Sequence, residues 1–286
     1  MSLFIEPSGE ACGASVRGVD LSAPLDDGTV ALIRQAWLEH HVLSFPDQSM
    51  TDDDLERFTR YFGDFGDDPF IRPIPGREHV IAVHRAATET APIFAEAWHS
   101  DWSFQAVPPA GTCLYGITIP PSGGDTLFVD QHAAYAAMPD DLRARIDGRT
   151  AIHSAGVAYG RGGTYGERDA VNERAMDIVY SDEADVTHRH PLVCRHPESG
   201  EVGVFSCLGY IAAIEGMDPD ESRALLLELY HWQGRPEFQY RHRWSAGTLA
   251  MWDNRSVLHM ATGGYDGHER LLHRTTIAGT VPPTAA

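Results

Sequence analysis

Thr248-Leu249-Ala250-Met251-Trp252-Asp253-Asn254-Arg255-Ser256-Val257-Leu258-His259 is the stretch on which the fold reading turns. A hydrophobic, strand-like run ends at Trp252, breaks at an Asp-Asn turn and re-emerges as an apolar run closing on His259. Asp and Asn suit such a break because their side chains bond the neighbouring backbone. The pattern recurs along the chain. Val80 to Val83, Thr112 to Ile119, Thr126 to Val129, Thr150 to His153, Val202 to Ser206, Phe238 to Arg243 and Leu271 to Ile277 are all short. They are rich in β-branched or aromatic residues, which fit a pleated, half-buried surface, and turn formers bound them.

Helical periodicity is rarer. Asp27 to His41 places Val30, Ile33, Ala36 and Trp37 on one stripe, and Val42 to Phe45 follows as a strand ended by Pro46. Thr51 can cap a helix opening with Asp52-Asp53-Asp54, whose charges suit the positive helix end, and Gly63 stops it after Phe62. Pro139 to Ile146 and Pro219 to about His231 are the other two helices. Many short strands with few helices predict a mainly β sandwich or barrel with flanking helices. The expectation is one domain over residues 1–286, without internal repeats. Phe65 to Ala97 mixes Gly, Pro and Asp, and Ala155 to His190 is rich in Gly, Arg and Glu; both are expected to be irregular lid segments.

The apolar fraction of 43% and charged fraction of 22% are those of an ordinary globular protein. A net charge of −19 argues against a nucleic-acid partner, which would need clustered Lys and Arg. It also means that an anionic substrate must be captured by a local group of arginines. No run approaches the roughly 20 apolar residues that span a bilayer, and the N-terminus lacks a secretory pattern. Cys12, Cys113, Cys194 and Cys207 are far apart, which fits reduced thiols in a cytoplasmic protein.

Four segments could carry chemistry. In Trp98-His99-Ser100-Asp101-Trp102, residues i and i+2 of a strand share a side, so His99 and Asp101 could face one metal. Alone this is weak, because 15 His and 41 acids in 286 residues give about two His-x-acid pairs by chance. The other such pair, His196-Pro197-Glu198, reads as a surface turn. His259 on an apolar run would ordinarily be a core residue. Joined to His99 and Asp101, it completes the two-His, one-carboxylate set that leaves three positions open on iron. Arg270 and Arg274, four apart on a strand, share a face where a cation is costly unless it meets an anion or a salt-bridge partner. Gly123-Gly124-Asp125-Thr126 turns into a strand, and Thr126 could offer a hydroxyl. The same metal set also fits a zinc hydrolase, or a metal-binding barrel without oxygenase activity.

Together these blocks resemble the taurine dioxygenase / 2,4-dichlorophenoxyacetate dioxygenase family, from Gly13 to Leu21, through Trp98 to Asp101 and Gly123 to Thr126, to His273-Arg274-Thr275-Thr276. The resemblance implies a double-stranded β-helix, or jelly roll. It implies Fe(II) on His99, Asp101 and His259, with 2-oxoglutarate and O2 as co-substrates. It also implies that Arg270, helped by Thr126, holds the distal carboxylate of 2-oxoglutarate. Arg274 matches the family arginine facing the anionic end of a small-molecule substrate, and Tyr159 and Tyr210 match substrate-facing aromatics. Arg72, before Pro73, and Ala95 stand where taurine-specific members carry a histidine and an asparagine, which argues against taurine itself. A sulfonate, sulfate ester or aryloxyalkanoate-like carboxylate is expected, hydroxylated with C–S or C–O cleavage to follow, in a homo-oligomer (dimer or tetramer).

Overall fold

A computed structural model describes residues 3–286. Its largest sheet has seven strands, in the order Phe4–Pro7, Ala14–Arg17, Val42–Phe45, Leu249–Asp253, Gly111–Thr118, Arg270–Ile277 and Ile81–Arg85. All neighbours are antiparallel except Ala14–Arg17 with Val42–Phe45. Packed against it is a three-stranded sheet of Gln239–His242, Thr126–Asp130 and Val257–Ala261. Two further three-stranded sheets pair Ile211–Ile214, Thr150–Ser154 and Thr187–Pro191, and Val202–Val204, Val193–Arg195 and Thr284–Ala285.

The central strands are apolar on both faces because both faces are covered. Along Leu249–Asp253, Leu249 and Met251 point into a cluster with Trp37, Phe45, Phe58 and Phe62, under the helices Asp27–His40 and Asp52–Arg60. Ala250 and Trp252 point the other way, onto Phe128, Val257 and Leu272. This is the two-residue alternation of a strand, read twice. The same alternation sends Thr126 with Phe128, and His259 with Val257, to the inner face of the smaller sheet. It sends Arg270 and Arg274 with Leu272 to the inner face of the larger one. The interior between the two sheets is where the candidate site residues converge.

Local signals fix the elements. Thr51 accepts from the Asp54 backbone N–H while the Asp54 carboxylate accepts from the Thr51 backbone N–H, a complete capping box. The expectation fails at two places. His99 and Asp101 do not lie on a strand: His99 forms a single bridge to His259, and Asp101 opens a turn. Within segment 65–97 the strand expected at Val80 to Val83 is present as Ile81–Arg85, the edge strand of the main sheet beside Arg270–Ile277, so the segment is irregular only on either side of it. Segment 155–190 includes a short helix, Gly156–Tyr159, and most of the strand Thr187–Pro191. No helix among the described residues is long and apolar enough to cross a membrane.

Candidate active site

His99 and His259 are tied backbone to backbone, His99 N–H to His259 C=O at 3.0 Å and the reverse at 2.7 Å. This closes their rings to 4.1 Å between centroids. The turn after His99 then brings the Asp101 carboxylate between them, with Oδ1 3.8 Å from His99 Nε2 and 3.7 Å from His259 Nε2. The turn is strained: Trp102 has φ 48°, a left-handed value costly for a bulky residue. Ala95, just upstream, has φ 62° and accepts from the Ala261 backbone N–H.

The three side chains are buried, and their ligand atoms all lie within 4.8 Å of one another. His99 Nδ1 faces the Ala97 carbonyl at 2.8 Å, which places the proton on Nδ1 and leaves Nε2 a free lone pair. Burial pushes both imidazoles down, His259 to about 3, into the neutral form that metals bind. Burial alone would raise Asp101, but Arg274 and the two histidines outweigh it and bring the carboxyl down to about 2. Two neutral imidazoles and one carboxylate, oriented toward a common point, fit Fe(II).

A hydrogen-bonded chain aims Asp101. Thr112 Oγ1 donates to Asp101 Oδ2 at 2.7 Å and accepts from Asn254 Nδ2 at 3.0 Å, while Asn254 Oδ1 accepts from Trp252 Nε1 at 2.9 Å. Behind it, Asp253 is held by Arg255 (2.8 and 2.6 Å) and by His196 Nε2 at 3.1 Å. The surface turn expected at Pro197 to Gly200 is present, and His196 closes it from a buried position: its Nδ1 accepts from the backbone N–H groups of Glu198 and Ser199.

Two chambers meet at these ligands, both lined by Phe94, Ala95, His99 and Arg274. The first also holds Thr126, Trp252, His259 and Arg270. Here Arg270 stands apart from the other arginines. Arg85 and Arg174 face Glu89, with Asp266 or Asp169 as a second partner. Arg274 faces Asp68 and Asp101. Arg270 has no carboxylate partner among the described residues; it donates Nε to the Gly124 carbonyl at 3.2 Å, and burial lowers its pKa. Gly124 is required there, since at φ +68° a Cβ would lie 3.1 Å from the Arg270 side chain. Thr126 Oγ1 accepts from Trp244 Nε1 at 3.0 Å.

The second chamber is aromatic, walled by Trp98, Trp102, Tyr159, Tyr165 and Tyr210. Tyr159 stacks on Phe70 at 4.9 Å and Tyr210 meets Phe104 edge-on at 5.0 Å, so both are fixed by packing. Arg72 reaches neither chamber: its side chain is 67% exposed and faces Asp177 at 3.7 Å. Sequence reasoning missed Asp68, Thr112 and Asn254. Asp68, like Arg72, precedes a proline, and that was the available signal.

Residues 5–276 match the family described as taurine catabolism dioxygenase TauD, TfdA family. The chain is 32% identical over 284 residues (99% of this chain, 91% of the relative) to an alpha-ketoglutarate-dependent sulfate ester dioxygenase of Pseudomonas putida, alpha-ketoglutarate being 2-oxoglutarate. It is 34% identical over 298 residues (96% and 98%) to an alpha-ketoglutarate-dependent 2,4-dichlorophenoxyacetate dioxygenase of Cupriavidus pinatubonensis. Among solved structures, a taurine dioxygenase from Burkholderia xenovorans superposes with a TM-score of 0.80 at 32% identity, covering 99% of this chain and 93% of that one.

Proposed function

The chain belongs to the TauD, TfdA family of 2-oxoglutarate-dependent dioxygenases, which share a jelly-roll core, and on that footing we propose how its residues divide the reaction. His99, Asp101 and His259 hold Fe(II), and Arg270 with Thr126 holds the distal carboxylate of 2-oxoglutarate in the first chamber. The observation that carries this reading is Arg270. A buried guanidinium without a counter-ion is costly, and a chamber that also reaches His99 and His259 is where a dicarboxylate would relieve that cost. Bound Fe(II) supplies the centre at which 2-oxoglutarate and O2 are converted to succinate and CO2 with transfer of oxygen to the substrate.

The protein's part is placement and exclusion of water. Thr112 holds Asp101 Oδ2, which would leave Oδ1 to the metal. The substrate occupies the aromatic chamber, where Tyr159 and Tyr210 grip its apolar body and Arg274 is the nearest cation. We assign it to small organic anions, the class acted on by the sulfate ester and 2,4-dichlorophenoxyacetate relatives. Segments 65–97 and 155–190 supply chamber walls, through Phe94 and Ala95 and through Tyr159 and Tyr165, and act as lids on one domain.

The test is succinate release from 2-oxoglutarate with Fe(II), ascorbate and O2, for the native chain and Asp101→Ala. Turnover that depends on Fe(II) and is lost in the variant supports the reading. Full turnover of Asp101→Ala would remove the ligand assignment, and metal binding without any succinate would return the chain to a non-catalytic role.

A further inference from the structure

The arginine expected to meet a substrate anion is already engaged. Arg274 Nη2 donates to Asp68 Oδ1, and Nη1 lies 3.5 Å from Asp101 Oδ1. Asp68 is not casually placed. Its Oδ1 also accepts from Trp102 Nε1 at 2.7 Å, Thr276 Oγ1 donates to its Oδ2 at 3.1 Å, and its side chain is 8% exposed. Trp102 also supports Arg274 directly, with the guanidinium carbon 5.2 Å from its ring centroid.

A guanidinium grips a carboxylate or sulfate through two parallel N–H groups. It has two such faces, Nε with Nη2 and Nη1 with Nη2, and Nη2 belongs to both. Nη2 faces Asp68 and Nη1 faces Asp101, while Nε, the one nitrogen without an acceptor, is buried, so no fork is presented whole to a ligand. Asp68 also adds a negative charge where an anionic headgroup would come to rest, and like charges a few ångströms apart repel strongly in a site shielded from water.

We propose that Asp68 is the specificity-determining residue of the aromatic chamber: a substrate anion gains the fork of Arg274 only by competing with the Asp68 carboxylate. The chamber therefore disfavours compact anions and favours those with a large apolar body, for which Trp102, Tyr159 and Tyr210 supply most of the binding. The inference rests on the assignment of this chamber to the substrate.

The test is anaerobic calorimetry on protein loaded with Mn(II) and 2-oxoglutarate, so that binding is read without turnover. The probes are 2-phenoxypropionate, its uncharged methyl ester and hexyl sulfate. Asp68→Asn is nearly isosteric and still accepts from Trp102. It should bind both anions at least about tenfold more tightly than the native chain, a change of 1.4 kcal/mol, with ester affinity unaltered. Asp67→Asn removes the same formal charge one residue away and should leave all three affinities as they are. An equal gain for the ester, a gain reproduced by Asp67→Asn, or no gain for either anion overturns the proposal. Loss of the dioxygenase reading would show separately, as absent succinate release.

Discussion

Replacing Arg270 by Met should make the ligand-free protein more stable while abolishing its response to 2-oxoglutarate. The side chain is 5% exposed, and its one hydrogen bond in the structure is Nε to the Gly124 carbonyl. A buried ion without a partner costs several kcal/mol after relaxation, so removing it recovers a penalty of about 2–4 kcal/mol. Against this stand the lost hydrogen bond, about 1 kcal/mol, and weak contacts to the Trp244 and Tyr265 rings at 5.9 and 6.0 Å. Met is unbranched and fills a similar volume, so packing is a minor correction. The net expectation is a gain of about 1–3 kcal/mol in urea unfolding without ligand. With Mn(II) present, 2-oxoglutarate at 100 times its Kd should stabilise the native chain by about 2.7 kcal/mol and the variant not at all. The two proteins should therefore exchange order when the co-substrate is added. A variant less stable than the native chain without ligand, or one that keeps the co-substrate shift, would refute the view of Arg270 as an unpaired cation awaiting an anion.

Two further outcomes follow from the hydrogen bonds around the metal ligands. Thr112→Val takes a donor from Asp101 and leaves Asn254 Nδ2 without its acceptor, so it should cost about 2–4 kcal/mol in urea unfolding and lower metal affinity about 10- to 100-fold; unchanged metal affinity would show that Asp101 needs no such support. Burial alone would raise the Asp253 carboxyl, but Arg255 and His196 hold it well below the usual carboxylate range, so its contribution to stability is complete above the unfolded value near pH 3.9 and is lost as pH falls toward the folded value. Asp253→Asn should accordingly flatten the acid limb of the stability curve below about pH 5, measured by urea unfolding across pH, and an unaltered limb would place the acid sensitivity elsewhere.

Much of this was legible in the sequence, for identifiable reasons. Strand positions showed because the same two-residue alternation that makes Leu249 and Met251 face helices, and Ala250 and Trp252 face the interior, is written in residue types. The helix beginning at Asp52 showed because Thr51 and Asp54 sit at capping-box spacing. What stayed hidden depends on contacts distant in sequence. Asp68 lies 206 residues from Arg274, and its place before Pro69, the local mark that separates it from Asp64 and Asp67, says nothing of that partner. The i, i+2 spacing of His99-Ser100-Asp101 predicts a strand. In the structure a bridge followed by a left-handed Trp102 achieves the convergence, and no propensity encodes a strained φ at tryptophan. The position of Arg72 before a proline points to the site, but the fold turns it outward to Asp177.

Phe94, Ala95, His99 and Arg274 belong to both chambers at once, so a molecule that moves this wall from one chamber is felt in the other. Whatever factor the co-substrate applies to the affinity of the second molecule, the second molecule must return to the co-substrate, since both paths round the thermodynamic cycle end in the same ternary complex. Phe94 and Ala95 sit on the loop that carries a left-handed alanine, so the coupling passes through a segment already held away from its relaxed conformation. The size of that factor is then a property of the shared wall, and a molecule too small to touch it would bind without being felt on the other side.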